Sequence, residues 1–307
     1  MNWLWITIIA YAILGLVSVV DRYLLSGPLP NPRAYTFYVG SLGMLVFLLT
    51  PFFGLENLPL NLLGVAFLSG FLFVAALFFL YSGLNKFEAS RVVPAMGGLV
   101  PIFTLLFSFF ILRGGAVVGW DWLAFVFLIS GSIAITIERG KKITLPSLKF
   151  AAGAALFFAL SFVFAKYVYL AASFWSPFVW MRVGGFIFAA GIFVFSADLR
   201  RMLFTKKIRE PKERKKTTAV FLGNQVLGAG GSVLQSFAIF LAPALYVAFV
   251  NALEGLIYVF VLIYTAAISI FFPHLIEEIF TKKTAFQKAA ATVLILVGIM
   301  ILSLAGR

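Results

Sequence analysis

Apolar positions in this chain follow neither the period of a surface helix nor that of a half-buried strand; they come in long, nearly unbroken runs. A helix needs about 20 mostly apolar residues to cross the hydrocarbon layer of a bilayer. By that measure the runs predict ten helices, at 3–25, 34–53, 60–82, 88–112, 118–137, 148–171, 177–196, 218–241, 243–272 and 286–305. Helix breakers mark the junctions: Pro28, Pro30 and Pro32 after the first run, Pro51 and Pro59 around the second connection, Pro177 before the seventh run and Pro243 before the ninth. No connection is long enough for a soluble domain, and the longest, 198–217, is mostly charged. The expected fold class is all-α integral membrane.

Composition agrees. Hydrophobic residues fill 63% of 307 positions and charged residues 11%, with 37 phenylalanines, and the mean hydropathy is +1.07. A soluble domain carries about 25% charged residues, so most of this chain is expected to be solvated by lipid. The absence of cysteine excludes disulfides, thiolate metal sites and cysteine nucleophiles. The single histidine, His274, makes a histidine metal cluster untenable, and His274-Leu275-Ile276-Glu277-Glu278 lacks the second histidine that a zinc motif needs. Phosphate-binding glycine loops, catalytic carboxylate pairs and nucleophile elbows are absent too. No metal or cofactor is expected. The start, Met1-Asn2-Trp3-Leu4, has no basic region or small-residue cleavage site, which predicts a retained first helix.

The net charge of +13 is concentrated in the connections. Taking the N-terminus as outside, 20 of the 24 basic residues fall on cytoplasmic connections, including nine in 198–217, against Arg113 and Arg307 opposite; Lys166 and Arg182 lie inside helices. The positive-inside rule applies to connections this short. It predicts a multi-pass protein of the plasma or inner membrane with 198–217 cytoplasmic and both termini outside. A topogenic, lipid-facing loop accounts for the basic stretch, so no nucleic-acid partner is expected.

The two halves resemble each other. Residues 10–23 align with 154–167, placing Arg22 on Lys166 and Tyr23 on Tyr167, and the same offset sets Tyr38-Val39-Gly40 against Arg182-Val183-Gly184. Residues 87–103 align with 241–257. The expected organisation is a first five-helix unit at 1–140 and a second at 148–307. Five is odd, so the second unit must enter the membrane inverted, as in many secondary transporters.

The chain also resembles EamA-type members of the drug/metabolite transporter superfamily. Three features carry the likeness: a basic residue ending the first helix of each unit (Arg22, Lys166), the arginine in Trp180-Met181-Arg182-Val183, and the fourth and ninth helices. There the family's L-E-P appears as Leu99-Val100-Pro101, without the glutamate, and Leu253-Glu254-Gly255, without the proline; Tyr38 stands where the family often has arginine. The resemblance implies a non-enzymatic transporter of small metabolites, often an exporter, driven by exchange or a proton gradient. It also implies cytoplasmic termini, against which the charge asymmetry argues.

Glu254 is the foremost candidate, placed about eleven residues into an apolar run, where a charge costs roughly 2.5–3.5 kcal/mol or more. Asn251 and Tyr258, three before and four after it, share its face of an unbroken helix. Glu254 then binds solute or a proton, or else forms a structural pair. Arg182, with Trp180 close by, attracts a carboxylate, pairs with Glu254 or snorkels to the interface. Lys166 and Arg22 sit near helix ends, where snorkelling competes with solute binding, and Asp21 neutralises Arg22. Gln225, Gly228, Ser232, Gln235 and Ser236 form a stripe that either packs closely or lines a cavity. Pro94, Gly97, Gly98 and Pro101 make the fourth helix breakable. The expectation is a secondary transporter of an amino-acid-like or other small amphipathic solute, working in export by alternating access. Its cavity is expected among the first, third, fourth, sixth, eighth and ninth helices, with membrane lipids around it, proton or exchange coupling, and a homodimer as one oligomeric option. The rivals are a passive facilitator or channel, and an intramembrane lipid-modifying enzyme.

Overall fold

The computed structural model describes residues 2–26, 31–87, 89–113, 117, 119–137, 143–204, 211–271 and 282–305. Side chains are not described at 22, 23, 25, 26, 89, 90, 203, 204, 211–217, 268–271, 282–285 and 305. His274 to Glu278 lie outside the described residues, as do Pro28, Pro30, Arg307 and part of the basic connections; of Arg22 only the backbone is described.

Every regular element among the described residues is helical. In chain order they are α1 (Asn2–Ser26), α2 (Pro32–Leu42), α3 (Thr50–Phe53), α4 (Leu60–Lys86), α5 (Ala89–Ile111), α6 (Trp120–Thr136), α7 (Leu145–Tyr169), α8 (Trp175–Phe195), α9 (Ala197–Phe204), α10 (Pro211–Leu241), α11 (Val247–Ala252), α12 (Gly255–Phe271) and α13 (Lys282–Ala305). A 3₁₀ segment, Gly43–Leu49, joins α2 to α3 in one span, and a 3₁₀ turn, Ala244–Tyr246, leads into α11.

Eight described helical spans are long and apolar enough to cross a membrane. Two of the ten expected runs are not among them, for different reasons. Helix α6 is apolar but only 17 residues long. Helix α10 begins at Pro211, two turns before the expected 218, and carries Asn224, Gln225, Ser232, Gln235 and Ser236 along its length. The charged 198–217 stretch is thus partly helical, in α9 and the first turns of α10.

Local chemistry explains several boundaries. Asn31 caps α2, its side-chain oxygen accepting from the Arg33 and Ala34 amides at 2.9 and 3.3 Å, with Pro32 in the first turn, where a missing N–H is harmless. Thr144 and Ser147 form a capping box at the start of α7. Pro177 lies inside the first turn of α8 and not before it.

The helices pack through small residues. Helix α4 lies against α7 and α8, α1 against α10 and α12, α5 against α7, α6 and α11, α6 against α13, and α2 against α8 and α4. At the α4–α8 crossing a Cβ on Gly70 would stand 1.6 Å from the Met181 carbonyl oxygen, and one on Gly184 would stand 1.9 Å from that of Phe67. Only glycine permits that approach. Large apolar side chains point outward, among them Phe52, Leu60, Phe110, Trp120 and Phe195, as a lipid solvent requires.

The expected break falls in a different span. Helix α5 runs through both Pro94 and Pro101 without interruption. The ninth run breaks instead, at Leu253 and Glu254 between α11 and α12. The cause lies across the interface. A Cβ on Gly255 would stand 2.2 Å from the Ser132 hydroxyl oxygen of α6, and that hydroxyl donates to the Ala252 carbonyl at 3.1 Å. The contact supplies the Ala252 carbonyl with a donor where the helix breaks.

Candidate functional site

Helices α2, α4, α7, α8 and α10, with Gly43, line a cavity that is partly open to the protein's surroundings. This corrects the expected wall: helices from the second and seventh runs line the cavity, while those from the first, fourth and ninth do not. Gly40, Gly43, Gly70 and Gly185 contribute to its wall, and the absence of a side chain at Gly40, Gly70 and Gly185 is what lets the wall helices approach one another. Its polar lining comes from Ser69, Ser161, Tyr169, Arg182, Ser232, Gln235 and Ser236.

Arg182 is the one charged residue in that lining. Its guanidinium donates to the Ser232 hydroxyl at 2.8 Å and lies 4.5 Å from the ring centre of Phe178 and 5.9 Å from that of Phe73. The rings hold the cation without neutralising it. No carboxylate pairs with it among the described residues, where the one ion pair is Arg33 with Asp198 at 3.4 Å. Arg182 therefore neither pairs with Glu254 nor snorkels. The neighbouring Tyr169 hydroxyl is buried and lies beside Ser236, which also lines the cavity. A guanidinium with free donors among hydroxyl groups is chemically fit for a carboxylate or phosphate-like oxygen.

Trp180 is not in this cavity. Two residues before Arg182, it points to the other side of α8, where its ring meets Phe47 and Phe67 edge-on. Lys166 is also removed from it: the side chain is buried, and its Nζ donates to the Phe240 carbonyl at 2.8 Å, at the C-terminal end of α10. A cation there satisfies an end carbonyl and complements the helix dipole. Gln225 is half-buried on α10 and outside the lining, whereas Gln235 lines the cavity and donates to the Tyr11 hydroxyl at 3.4 Å.

Tyr11 connects this cavity to Glu254. Fully buried on α1, it donates to the Val250 carbonyl at 2.8 Å, and it is an electrostatic neighbour of Glu254, as is Tyr258. Glu254 sits half-buried on the break with no hydrogen bond or ion pair to its carboxylate among the described residues. Asn251 does not share its surroundings. Fully buried, it donates from Nδ2 to the Thr104 hydroxyl of α5 at 2.8 Å.

Several residues of this region carry no sequence signal of their own. Tyr11, Tyr169, Phe73 and Phe178 are single aromatics among many. Asp21 accepts at Oδ1 from the hydroxyl of Tyr35 and, at 2.7 Å, from Asn224 Nδ2; its expected neutralisation of Arg22 lies outside the described side chains.

No family model matches this chain, and no curated protein does. Solved structures do match. One crystal structure is similar over 99% of this chain and 96% of its own, with a TM-score of 0.64 at 16% sequence identity. At that identity the likeness is one of fold.

Proposed function

We propose that this protein is a secondary transporter of a small solute bearing an anionic group, and that the solute's acidic end is received by Arg182. The observation carrying this reading is an arginine without an acidic partner in a polar-lined cavity among spanning helices. An intramembrane ionisable group is costly, and such residues mark solute and ion pathways. Phe73, Phe178 and Tyr169 suit an apolar or aromatic body on the same solute, so amino acids and related small carboxylates fit the site. Glu254, on a helix break one tyrosine away from Gln235, is the coupling carboxylate in this reading; broken spans are where such transporters bind ions.

An inverted repeat of two five-helix units is part of the proposal, and the packing pairs support it. Exchanging the halves turns the α1–α10 contact into α7–α4 and the α1–α12 contact into α7–α5, while α2–α8, α5–α11 and α6–α13 pair across the halves; the extensive α4–α8 contact has no α10–α2 equivalent of its size. Ten crossings follow, with α6 and α10 completing the eight apolar spans. The EamA-type resemblance agrees with this reading, and export is the direction we propose. The charge asymmetry puts 198–217 in the cytoplasm and both termini outside; a C-terminal alkaline phosphatase fusion would then be active and a green fluorescent protein fusion dark.

The test is a melting-temperature screen of purified protein against small carboxylates, amino acids included, since a ligand that binds the folded state raises its stability. A hit is then followed by counterflow in proteoliposomes. Arg182→Gln should abolish both the shift and the flux. Glu254→Gln should keep the shift and the counterflow but lose accumulation driven by a pH gradient. Full flux in the Arg182 variant would sink the assignment.

A further inference from the structure

Ten residues beyond Tyr11 on α1, about 15 Å along the helix, a second acid lies among polar groups that the cavity does not include. Asp21 Oδ1 accepts two hydrogen bonds, from the Tyr35 hydroxyl of α2 and from Asn224 Nδ2 of α10. One carboxylate oxygen thus ties three helices together. Tyr35 and Asn224 are almost wholly buried, at 1% and 3% exposure, and the other amide atom, Asn224 Oδ1, is buried with no partner. The Tyr81 ring of α4 stands edge-on to Tyr35 at 5.0 Å, and Phe221 covers it from α10 at 5.9 Å.

This cluster borders the Arg182 cavity. Val39 packs against the apolar group formed by Leu24, Tyr35, Tyr81 and Phe221, and it also lines the cavity. The titratable groups facing Asp21 from its neighbours are tyrosines, Tyr35 on α2 and Tyr81 on α4, with Tyr38 packed on the same apolar group and Tyr264 of α12 engaged further along α1 on the Ala12 carbonyl. No described side chain of α10 brings a charge to the acid, only Asn224. No basic side chain pairs with Asp21 among the described residues.

We propose that Asp21 is a proton-binding site whose ionised form latches α1, α2 and α10 shut at this end of the cavity, and whose protonation releases them. Hydrogen bonds to a carboxylate are roughly twice as strong as those to a neutral acceptor. A proton bound at the carboxylate turns both ties into weak neutral bonds without moving any other charge. What the latch gates rests on the transporter reading above; the proton site itself does not.

The chain has no cysteine, so a single thiol introduced as Val39→Cys reports solvent entry at the border of cluster and cavity. Its maleimide labelling rate is measured in detergent at pH 8 and pH 5, normalised at each pH to the unfolded protein. Labelling should rise about ten-fold on acidification as the charge-assisted ties are lost. In the Asp21→Asn background it should be fast at both pH values. Tyr35→Phe, which keeps the carboxylate and removes one tie, should raise the pH 8 rate while preserving the response to acid. A pH-independent rate in the parent, a pH response surviving in Asp21→Asn, or an unchanged pH 8 rate in Tyr35→Phe overturns the latch. If Asp21→Asn does not fold, the Tyr35→Phe result decides. Undiminished flux in Arg182→Gln, by contrast, would defeat the transporter reading and leave the labelling result standing.

Discussion

Lys166 and Arg182 both place a cation inside an apolar span, and the protein surrounds them in opposite ways. Lys166 is 3% exposed and donates to the Phe240 carbonyl, closing the end of α10. Arg182 has one serine hydroxyl and two aromatic rings for company and leaves most of its donors facing a cavity. The alignment of the halves pairs Lys166 with Arg22 and Arg182 with Tyr38 as repeat positions, and nothing in that alignment separates the cation bound to a backbone carbonyl from the one that lines a cavity. What separates them is whether a backbone acceptor lies within reach. A long flexible ammonium finds a helix end; a planar guanidinium held between rings presents its edge to whatever enters.

The sharpest way to break this contrast is to remove each charge and compare flux with stability. Replacing Arg182 by Met should reduce solute flux about 30-fold or more, since losing a charge-assisted contact costs about 2 kcal/mol at least. Its melting temperature should barely move, because few protein contacts are lost. Replacing Lys166 by Met should do the reverse. Leaving the Phe240 carbonyl buried without a donor costs about 1–3 kcal/mol, read as a lower melting temperature, while flux per folded molecule stays at the parent level. Exchanged phenotypes would invert the two assignments.

The same logic extends to the helix break. Gly255→Ala would put a methyl group 2.2 Å from the Ser132 hydroxyl oxygen, and overpacking of this kind costs about 1–3 kcal/mol. A second change, Ser132→Gly, should recover part of it, and its failure to do so would mean that the close approach is not the cause. Ser132→Ala alone loses the donor to the Ala252 carbonyl and should cost about 1 kcal/mol, measured by the same melts. The smallest effect is expected at Trp180, which neighbours Arg182 in sequence but not in space. Trp180→Phe should leave flux within about two-fold of the parent, as for changes away from any special feature; a large loss of flux with normal folding would return Trp180 to the site.

How much of this was legible beforehand depended on the kind of information each feature needs. The run lengths of apolar residues sufficed for an all-helical membrane protein, because the cost of exposing backbone to lipid leaves a single-chain apolar segment almost no other option. Arg182 and Glu254 were legible as costly charges at depth, and the cysteine-free, histidine-poor composition removed whole classes of chemistry. What an intramembrane charge touches was not legible. Pro94 and Pro101 look like breakers, yet α5 continues through them, while the span with the break has no proline between Pro243 and Pro273. A proline's missing donor is a local property that neighbouring helices can accommodate. The break at 253–254 answers instead to Ser132, 121 residues earlier in the chain. The walls of the cavity, the bond of Asn251 to Thr104, the capture of Lys166 by a helix end and the three-helix tie at Asp21 are likewise decided by which helices meet. Periodicity and composition describe each helix alone, whereas the partner of a buried polar group is set by tertiary packing, since a group withdrawn from water must take the donor or acceptor that its neighbours happen to present.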